Sequence, residues 1–504
     1  MIRRFLSSFA FFAIIVFLGI GLVFYPTLNS FFHSDDLDLL YFVHHGGPLG
    51  VRKFTPEDYF RPLTSISFYV EHQLWGLNVL GFRAIHLFLH GVVTLLVARF
   101  GKQLGLSQKA SRIGAVLFAV LPGHIEAVVW LGARSDLLAT LLSLVCLCLI
   151  KDTVHRPSSS RLALVFLLCG LAMLGKEAAA LLPLGIIALA WYCGASPKLL
   201  RTFLWALALL PLYFLARYAY VGSFLGRPGG SSTFSPVGLF IAICRGLPVA
   251  LSPLAPTKLG AMIVMAASTV LVGWGLIRSP ISQRRALRFL LALFFVLGLP
   301  TLMATFVLPV DGADTRNIYF PSVFSCLLLG ILLEHCRIGT GLTTVVILGG
   351  AIQSHLVTRS WQQAGEWVRL GLQDIVALGQ SSRLIVLATP DRRFPAYIFR
   401  RGLGAGMALL HQHSVGELIL TDYVVFNDER DRVSVVPDGD GCLVTLHFAT
   451  PPKARPFVWN VKKGVGRTSL VTLTAPSYHV SLPPPLPGEH IVYFSEGRFH
   501  PWKR

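Results

Sequence analysis

Residues 9–25 read Phe9-Ala10-Phe11-Phe12-Ala13-Ile14-Ile15-Val16-Phe17-Leu18-Gly19-Ile20-Gly21-Leu22-Val23-Phe24-Tyr25, and the acidic run His33-Ser34-Asp35-Asp36-Leu37-Asp38 follows soon after. The first stretch is uncharged and close to the ~20 apolar residues that a bilayer-crossing helix needs. Carboxylates so near hydrocarbon are costly unless they are solvated or serve a purpose. These two features set the expected fold class, a polytopic α-helical membrane protein, and mark the first place to look for chemistry.

The whole chain supports that class. Of 504 residues, 54% are hydrophobic and only 14% charged, and the mean hydropathy is +0.63, which excludes an ordinary soluble globule. Weakly charged stretches predict spans near 8–26, 85–101, 111–122, 135–150, 162–175, 178–193, 202–220, 259–277, 289–308, 318–335 and 341–357, about 11 transmembrane helices. Arg3 and Arg4 precede the first, as in a signal peptide, but it ends in Tyr25-Pro26 without a small-x-small cleavage site and reads as an anchor. With the N-terminus cytoplasmic, the inner loops hold Lys102, Lys109, Arg112, Lys151, Arg156, Arg161, Lys198, Arg201, Arg278, Arg284, Arg285 and Arg288. Short basic inner loops are what the positive-inside rule expects. The opposite loops hold Asp35, Asp36, Asp38, Glu57, Asp58, Glu126, Asp311 and Asp314. An odd number of spans then leaves the C-terminal region extracytoplasmic. The net charge of +19 reads as topology and membrane-surface attraction, with no nucleic-acid partner implied. Eight cysteines without a CxxC pair point to packing and away from a disulfide framework or zinc site.

Three parts follow along the chain. Residues 1–357 form the membrane part, with long outer loops at 27–84 and 221–258. Residues 358–380, with Trp361, Trp367 and Leu370 among polar neighbours, read as an amphipathic linker helix. Residues 381–504 read as a small α/β or mostly β soluble domain. Leu384 to Leu387 is its buried strand, Gly402 to Leu410 a helix start, and Asp438-Gly439-Asp440-Gly441 a hairpin turn.

The candidate chemistry lies in the outer loops. Asp35 and Asp36 suit a general base or a divalent-cation ligand, and Ser34, Asp35 and Asp36 equally suit a helix N-cap and first turn. Tyr59-Phe60-Arg61-Pro62-Leu63 adds a guanidinium fitted to phosphate, or one that merely snorkels to the surface. Further on come His124 and Glu126, then Arg134-Ser135-Asp136, the Lys176-Glu177 pair and Arg316-Asn317-Ile318-Tyr319. His86 and His90 are four apart on one helix face and read as interhelical hydrogen-bonding groups before a metal pair. Taken together, carboxylates, cations and aromatic residues on one membrane face describe glycosyl transfer from a lipid-linked sugar phosphate.

The order Asp35-Asp36, Tyr59-Phe60-Arg61-Pro62-Leu63, His86-Leu87-Phe88-Leu89-His90, Pro122-Gly123-His124-Ile125-Glu126-Ala127-Val128, Arg134-Ser135-Asp136-Leu137-Leu138, Gly175-Lys176-Glu177 and Arg316-Asn317-Ile318-Tyr319-Phe320-Pro321 resembles the type-C membrane glycosyltransferases. It is most similar to the protein O-mannosyltransferase branch, and there to the transmembrane and tetratricopeptide-repeat O-mannosyltransferases, over roughly residues 1–375. The 381–504 domain stands where that group carries its repeats, and Gly123 stands where a bulkier residue is expected.

The resemblance implies a polyprenyl-phosphate sugar donor and a protein or glycan/lipid acceptor, with direct transfer that inverts the anomeric carbon. Asp35 or Asp36 would take the acceptor proton, with Asp35 preferred. Arg61, Arg134, Lys176, Arg316 and Tyr319 would meet the donor phosphate. His124, Glu126 and Glu177 would shape the acceptor side or support the site, and whether a divalent cation assists stays open. The competing reading is a non-catalytic polyprenyl-phosphate-sugar binding or transport protein, or a scaffold of cell-envelope assembly. A transporter should show broken midplane helices and inverted repeats, and neither is evident in the sequence.

Overall fold

A computed structural model describes residues 8–48, 50, 60–224, 270, 281–304, 315–335, 339–378, 383–393, 395–399, 402–411, 418–420, 423–426, 432–439, 441–447, 459–460, 469–474, 477–482 and 487–502. Its helices are α1 (Phe9–Leu28), α2 (Asp35–Gly46), α3 (Pro62–Trp75), α4 (Val79–Gln103), α5 (Gln108–Val120), α6 (Ile125–Val129), α7 (Arg134–His155), α8 (Ser159–Gly175), α9 (Leu182–Tyr192), α10 (Pro197–Leu204), α11 (Leu209–Val221), α12 (Ile281–Ala304), α13 (Tyr319–His335), α14 (Gly339–Ala377) and α15 (Leu403–His411). Eleven strands complete the described elements: β1 (Arg383–Arg393), β2 (Ala396–Tyr397), β3 (Leu418–Leu420), β4 (Tyr423–Phe426), β5 (Arg432–Asp438), β6 (Gly441–His447), β7 (Trp459–Asn460), β8 (Ser469–Thr474), β9 (Ser477–Ser481), β10 (Glu489–Ser495) and β11 (Arg498–Trp502).

Among the described residues, six helical stretches are long and apolar enough to cross a membrane: Phe9–Leu28, Val79–Gln103, Leu131–His155, Pro197–Val221, Thr315–Glu334 and Thr340–Ala377. Shorter apolar helices occupy Ser159–Gly175 and Glu177–Tyr192. The chain is a multi-pass membrane protein. The span expected at 259–277 and nearly all of the 221–258 loop lie outside the described residues, as do Tyr59, Asp311 and Asp314.

Sequence chemistry sets the helix ends. Ser107, Ser158 and Ser196 cap α5, α8 and α10, each accepting from a backbone N–H three residues on, at 2.9, 3.3 and 3.3 Å. Leu121 is extended because Pro122 follows it, so α5 stops at Val120 and the chain continues in short turns toward Glu126. The amphipathic segment expected at 358–380 is not a separate helix. α14 runs unbroken for 39 residues, roughly 58 Å at 1.5 Å per residue, about twice the hydrocarbon thickness. No proline or positive-φ glycine interrupts it.

The chain divides into two compact units. The first comprises 1–25, 48–70 and 80–358 and holds most of the apolar helices. Within it α5 and α13 cross closely: a Cβ at Gly114 would lie 2.9 Å from the Cys326 carbonyl oxygen, and one at Gly330 would overlap that of Ala110.

The second unit joins 26–47, 71–79 and 359–504. Its sheet runs β11-β10-β1-β4-β7, with β2 and β3 also on β1. β1 is parallel to β10, β3 and β4, and antiparallel β11 and β7 close the two ends. Leu384, Ile385, Val386 and Leu387 are all buried, as expected of a central strand covered on both faces. A second, antiparallel sheet runs β5-β6-β9-β8, and its first hairpin pairs Asp438 with Gly441. Asp374 near the end of α14 takes both the Arg498 guanidinium and the Phe499 N–H (3.0 Å), tying β11 to that helix.

Candidate active site

The acidic run belongs to the second unit. Ser34 precedes α2 with φ at +52°, a region that non-glycine residues enter rarely, and its side chain does not cap the helix. The Ser34 hydroxyl donates instead to Asp35 Oδ1 at 3.1 Å. Two contacts hold the strained backbone. The Ser34 N–H donates to the Ile398 carbonyl at 2.8 Å, and Gly402, itself at φ +87°, sits so close that any Cβ there would overlap the Ser34 carbonyl oxygen. Asp36 is fully buried, and its Oδ2 accepts the His33 N–H at 3.3 Å. Asp35 is half-buried. The two carboxylates therefore differ: Asp36 closes the start of α2, while Asp35 keeps access to solvent.

The cations belong to the first unit, at the helix ends that the sequence placed on one face. Arg61, just before α3, grips Glu177 bidentately through Nε (3.1 Å) and Nη2 (2.5 Å), and its Nη1 reaches Ser135 Oγ at 3.5 Å. Lys176, in extended backbone after α8, pairs with Asp136 of the first turn of α7 at 2.5 Å and with Asn317 Oδ1 at 3.3 Å. Arg316 pairs with Glu126 Oε1 at 2.6 Å, donates its N–H to the same carboxylate at 3.2 Å, and stacks over Trp130 at 4.7 Å. Three carboxylates thus fix three cations in orientation.

Lys176 ties this group together electrostatically. Burial pushes its ammonium down from the ordinary lysine value, Asp136 opposes the shift, and the nearby Arg61 and Arg316 guanidiniums add to it. The Arg61 and Arg316 side chains each keep 20% of their surface exposed, against 5% for Lys176. The two arginines can therefore meet a ligand directly, with the lysine behind them.

Two expected phosphate ligands are placed differently. Arg134 is fully buried and donates to His86 Nδ1 (2.8 Å), Ser67 Oγ (3.1 Å) and the Phe82 carbonyl (3.3 Å). Tyr319 is also fully buried, and its hydroxyl lies 2.8 Å from His90 Nδ1. Because His86 and His90 turn Nε2 to the carbonyls of Ala127 (2.9 Å) and Ala119 (3.1 Å), both carry the proton there. Their Nδ1 atoms then accept from Arg134 and Tyr319. Both imidazoles are interhelical hydrogen-bonding groups. His124 falls in the turn Pro122–His124, two residues before Glu126. Among the described residues no three His, Cys, Asp or Glu side chains converge as a metal-binding group.

Sequence reading assigned no role to Asp136, Asn317 or Trp130. Asp136 carried a usable signal, an acid one turn into a helix beside a lysine-bearing loop. Trp130 and Asn317 carried none, since their place depends on tertiary packing.

No protein-family model matches the chain. Curated relatives do. The mouse "Protein O-mannosyl-transferase TMTC2" is 37% identical over 123 residues, 23% of this chain and 15% of that protein. The Caenorhabditis elegans "Protein O-mannosyl-transferase F38B6.6" is 36% identical over 93 residues, 18% of this chain and 14% of that protein. The chain is similar to protein O-mannosyl-transferases. That likeness agrees with the O-mannosyltransferase resemblance read from the residues, and the matched stretch spans about a seventh of the relatives' own length. Human protein O-mannosyl-transferase TMTC4 adds 35% identity over 96 residues, 16% of this chain and 13% of that protein. Among solved structures, the Archaeoglobus fulgidus oligosaccharyltransferase tethered with an acceptor peptide aligns with TM-score 0.46 at 12% identity, covering 82% of this chain and 64% of that one. The oligosaccharyltransferase AglB of the same organism, in complex with an inhibitory peptide and a dolichol-phosphate, aligns with TM-score 0.46 at 10% identity over 81% and 64%.

Proposed function

We propose that the chain is an integral membrane glycosyltransferase. It moves mannose or a similar hexose from a polyprenyl-phosphate donor to an acceptor hydroxyl of a protein, glycan or lipid on the extracytoplasmic face. The observation that carries this reading is the grouping of Arg61, Lys176 and Arg316 at shared helix ends, each oriented by its own carboxylate. Similarity to O-mannosyl-transferases supports the sugar class.

In this reading the acceptor hydroxyl gives its proton to Asp35 and its oxygen bonds to the anomeric carbon. The bond from that carbon to the phosphate oxygen breaks on the opposite side, which inverts the configuration. The departing lipid phosphate gains negative charge, and Arg61, Arg316 and Lys176 stabilise it as preorganised donors. Arg134 and Tyr319 act as positioning residues through His86 and His90. His124, Glu126 and Glu177 support the site, the two glutamates by holding Arg316 and Arg61. The proposed organisation is an eleven-span membrane domain over 1–357, a linker at 358–380 that begins within α14, and an extracytoplasmic domain over 381–504.

Membranes containing wild type, Asp35→Asn, Asp36→Asn or the double variant, supplied with radiolabelled polyprenyl-phosphate mannose, test the reading. Loss of a general base lowers transfer about 10²–10⁴-fold, and that loss is expected for Asp35→Asn at unchanged protein level. Transfer that survives in both single variants and the double variant overturns the base assignment. Label that crosses the bilayer without joining any acceptor supports transport.

A further inference from the structure

A second polar constellation lies at the other end of the membrane helices of the first unit. α5 starts there and reaches Glu126 only beyond its far end, while α13 starts beside Arg316 and leads to the start of α14. Between the first two turns of α5 and of α14 is a groove of about 530 Å³, lined by Gln108, Lys109, Arg112 and Ile113 on one side and by Thr340, Thr343 and Thr344 on the other.

Several independent features give this groove one chemical preference. Lys109 is exposed. The Arg112 guanidinium is oriented by the Phe12 ring, 5.1 Å from its centroid, and by the Ser8 carbonyl, to which Nη2 donates at 3.3 Å. The N-terminal turns of α5 and α14 both line the groove, and their dipoles favour an anion, although Ser107 already takes the Ala110 amide of α5. Thr343 is only 8% exposed, and its hydroxyl is buried with no hydrogen-bond partner. A buried hydroxyl left unpaired is costly, so a bound acceptor oxygen would relieve it. The carboxylate of Glu334 is engaged by the Ser107 hydroxyl at 2.6 Å and does not line the groove.

The groove's continuation identifies the source of the anion. Val345, Leu348 and Ile352 are 68%, 56% and 62% exposed, and their i, i+3, i+7 spacing places them on one face of α14, with Leu348 one turn beyond Thr344. A free phosphate has no use for such a wall, whereas an acyl chain does. We propose that this groove binds the phosphate headgroup of an anionic glycerophospholipid, whose acyl chains lie along Val345, Leu348 and Ile352. Basic pockets between membrane helices commonly hold such headgroups.

The test uses the full-length protein in phosphatidylcholine nanodiscs titrated with phosphatidylglycerol, with bound lipid counted by native mass spectrometry. Wild type is expected to retain phosphatidylglycerol over phosphatidylcholine. Lys109→Gln combined with Arg112→Gln should weaken that retention roughly thirtyfold. Thr343→Val keeps the β-branched shape and removes only the hydroxyl. It should weaken retention severalfold while leaving thermal unfolding in pure phosphatidylcholine unchanged, which separates ligand loss from misfolding. Unchanged phosphatidylglycerol retention in both variants overturns the proposal. So does equal displacement by inorganic phosphate, which would mark a free-anion site, or preferential displacement by polyprenyl phosphate, which would mark a donor-lipid site.

Discussion

Ser34 holds a backbone conformation that costs an ordinary L-residue about 1–3 kcal/mol, one residue before the proposed base. Such strain persists only where the surroundings over-determine it, and here the Ile398 carbonyl and the bare Cα of Gly402 do so. Gly402→Ala should therefore cost more than the ~1–2 kcal/mol of a left-handed alanine, because the new methyl also displaces the Ser34 carbonyl and with it Asp35. Transfer should fall in that variant while Gly439→Ala, at φ +58° with open space around it, pays only the backbone strain. Equal activity in the two variants would contradict the coupling. Lys176 gives a prediction in pH. Burial, reinforced by Arg61 and Arg316, lowers its pKa, so the ammonium is intact at low pH and is lost as pH rises, earlier than for an ordinary lysine. The alkaline limb of the rate profile should accordingly lie below the ordinary lysine range, and Lys176→Arg should move it upward whatever its effect on kcat, since a guanidinium stays charged. A wild-type limb that Lys176→Arg leaves in place would assign it to another group.

Helices and strands were legible to unequal degrees. The strand at Leu384 to Leu387, the hairpin at Asp438 and Gly441 and the helix after Gly402 all lie where periodicity and turn chemistry put them. Residues 358–377 are helical, as their amphipathic pattern predicts, and continuous with the span before them, because falling hydropathy marks a change of solvent and no break in the backbone. Nor could the sequence reveal that the acidic run packs with the C-terminal unit: Gly402 and Gly406 meet Ser34 and Leu37 across a large sequence separation, and an isolated glycine announces no partner. The α5–α13 crossing has the same character. Small residues let membrane helices approach closely, and at Gly330 a methyl would press on the Ala110 carbonyl. Helix propensity favours alanine over glycine by ~1 kcal/mol, while overpacking costs ~1–3 kcal/mol. Gly330→Ala should lower the unfolding temperature in detergent, whereas Gly19→Ala, with nothing within 4 Å, should leave it unchanged or raise it. Equal shifts at the two sites would mean that α5 and α13 are not packed this tightly.

For the molecule as a whole, charge asymmetry is the ordering principle. Arg156 and Arg161 flank the start of α8, whereas Lys176 with its paired acids follows the other end of the same helix. In the proposed orientation a bilayer separates a predominantly basic rim, whose described acids include Asp152 and Glu334, from a rim of matched ion pairs. The basic rim is the one that the cytoplasmic side retains during insertion, which makes orientation the strongest whole-molecule expectation from sequence. With eleven spans, the chain after α14 then lies on the opposite side from Arg156. Two single-cysteine reporters test this: Ser160→Cys in the exposed turn at the start of α8, and Glu496→Cys in the exposed turn between β10 and β11. The described native cysteines are buried except Cys193, which is partly exposed, so Cys193→Ser, combined with Cys244→Ser and Cys336→Ser at the two cysteines outside the described residues, forms the background. A membrane-impermeant maleimide added to intact cells should label Glu496→Cys at once and Ser160→Cys only after permeabilisation. Labelling of both before permeabilisation, or of neither, would require an even number of spans between them and the ones near 178–193 to 341–357 to be recounted. Labelling of Ser160→Cys alone would invert the protein and place the proposed transfer on the cytoplasmic face.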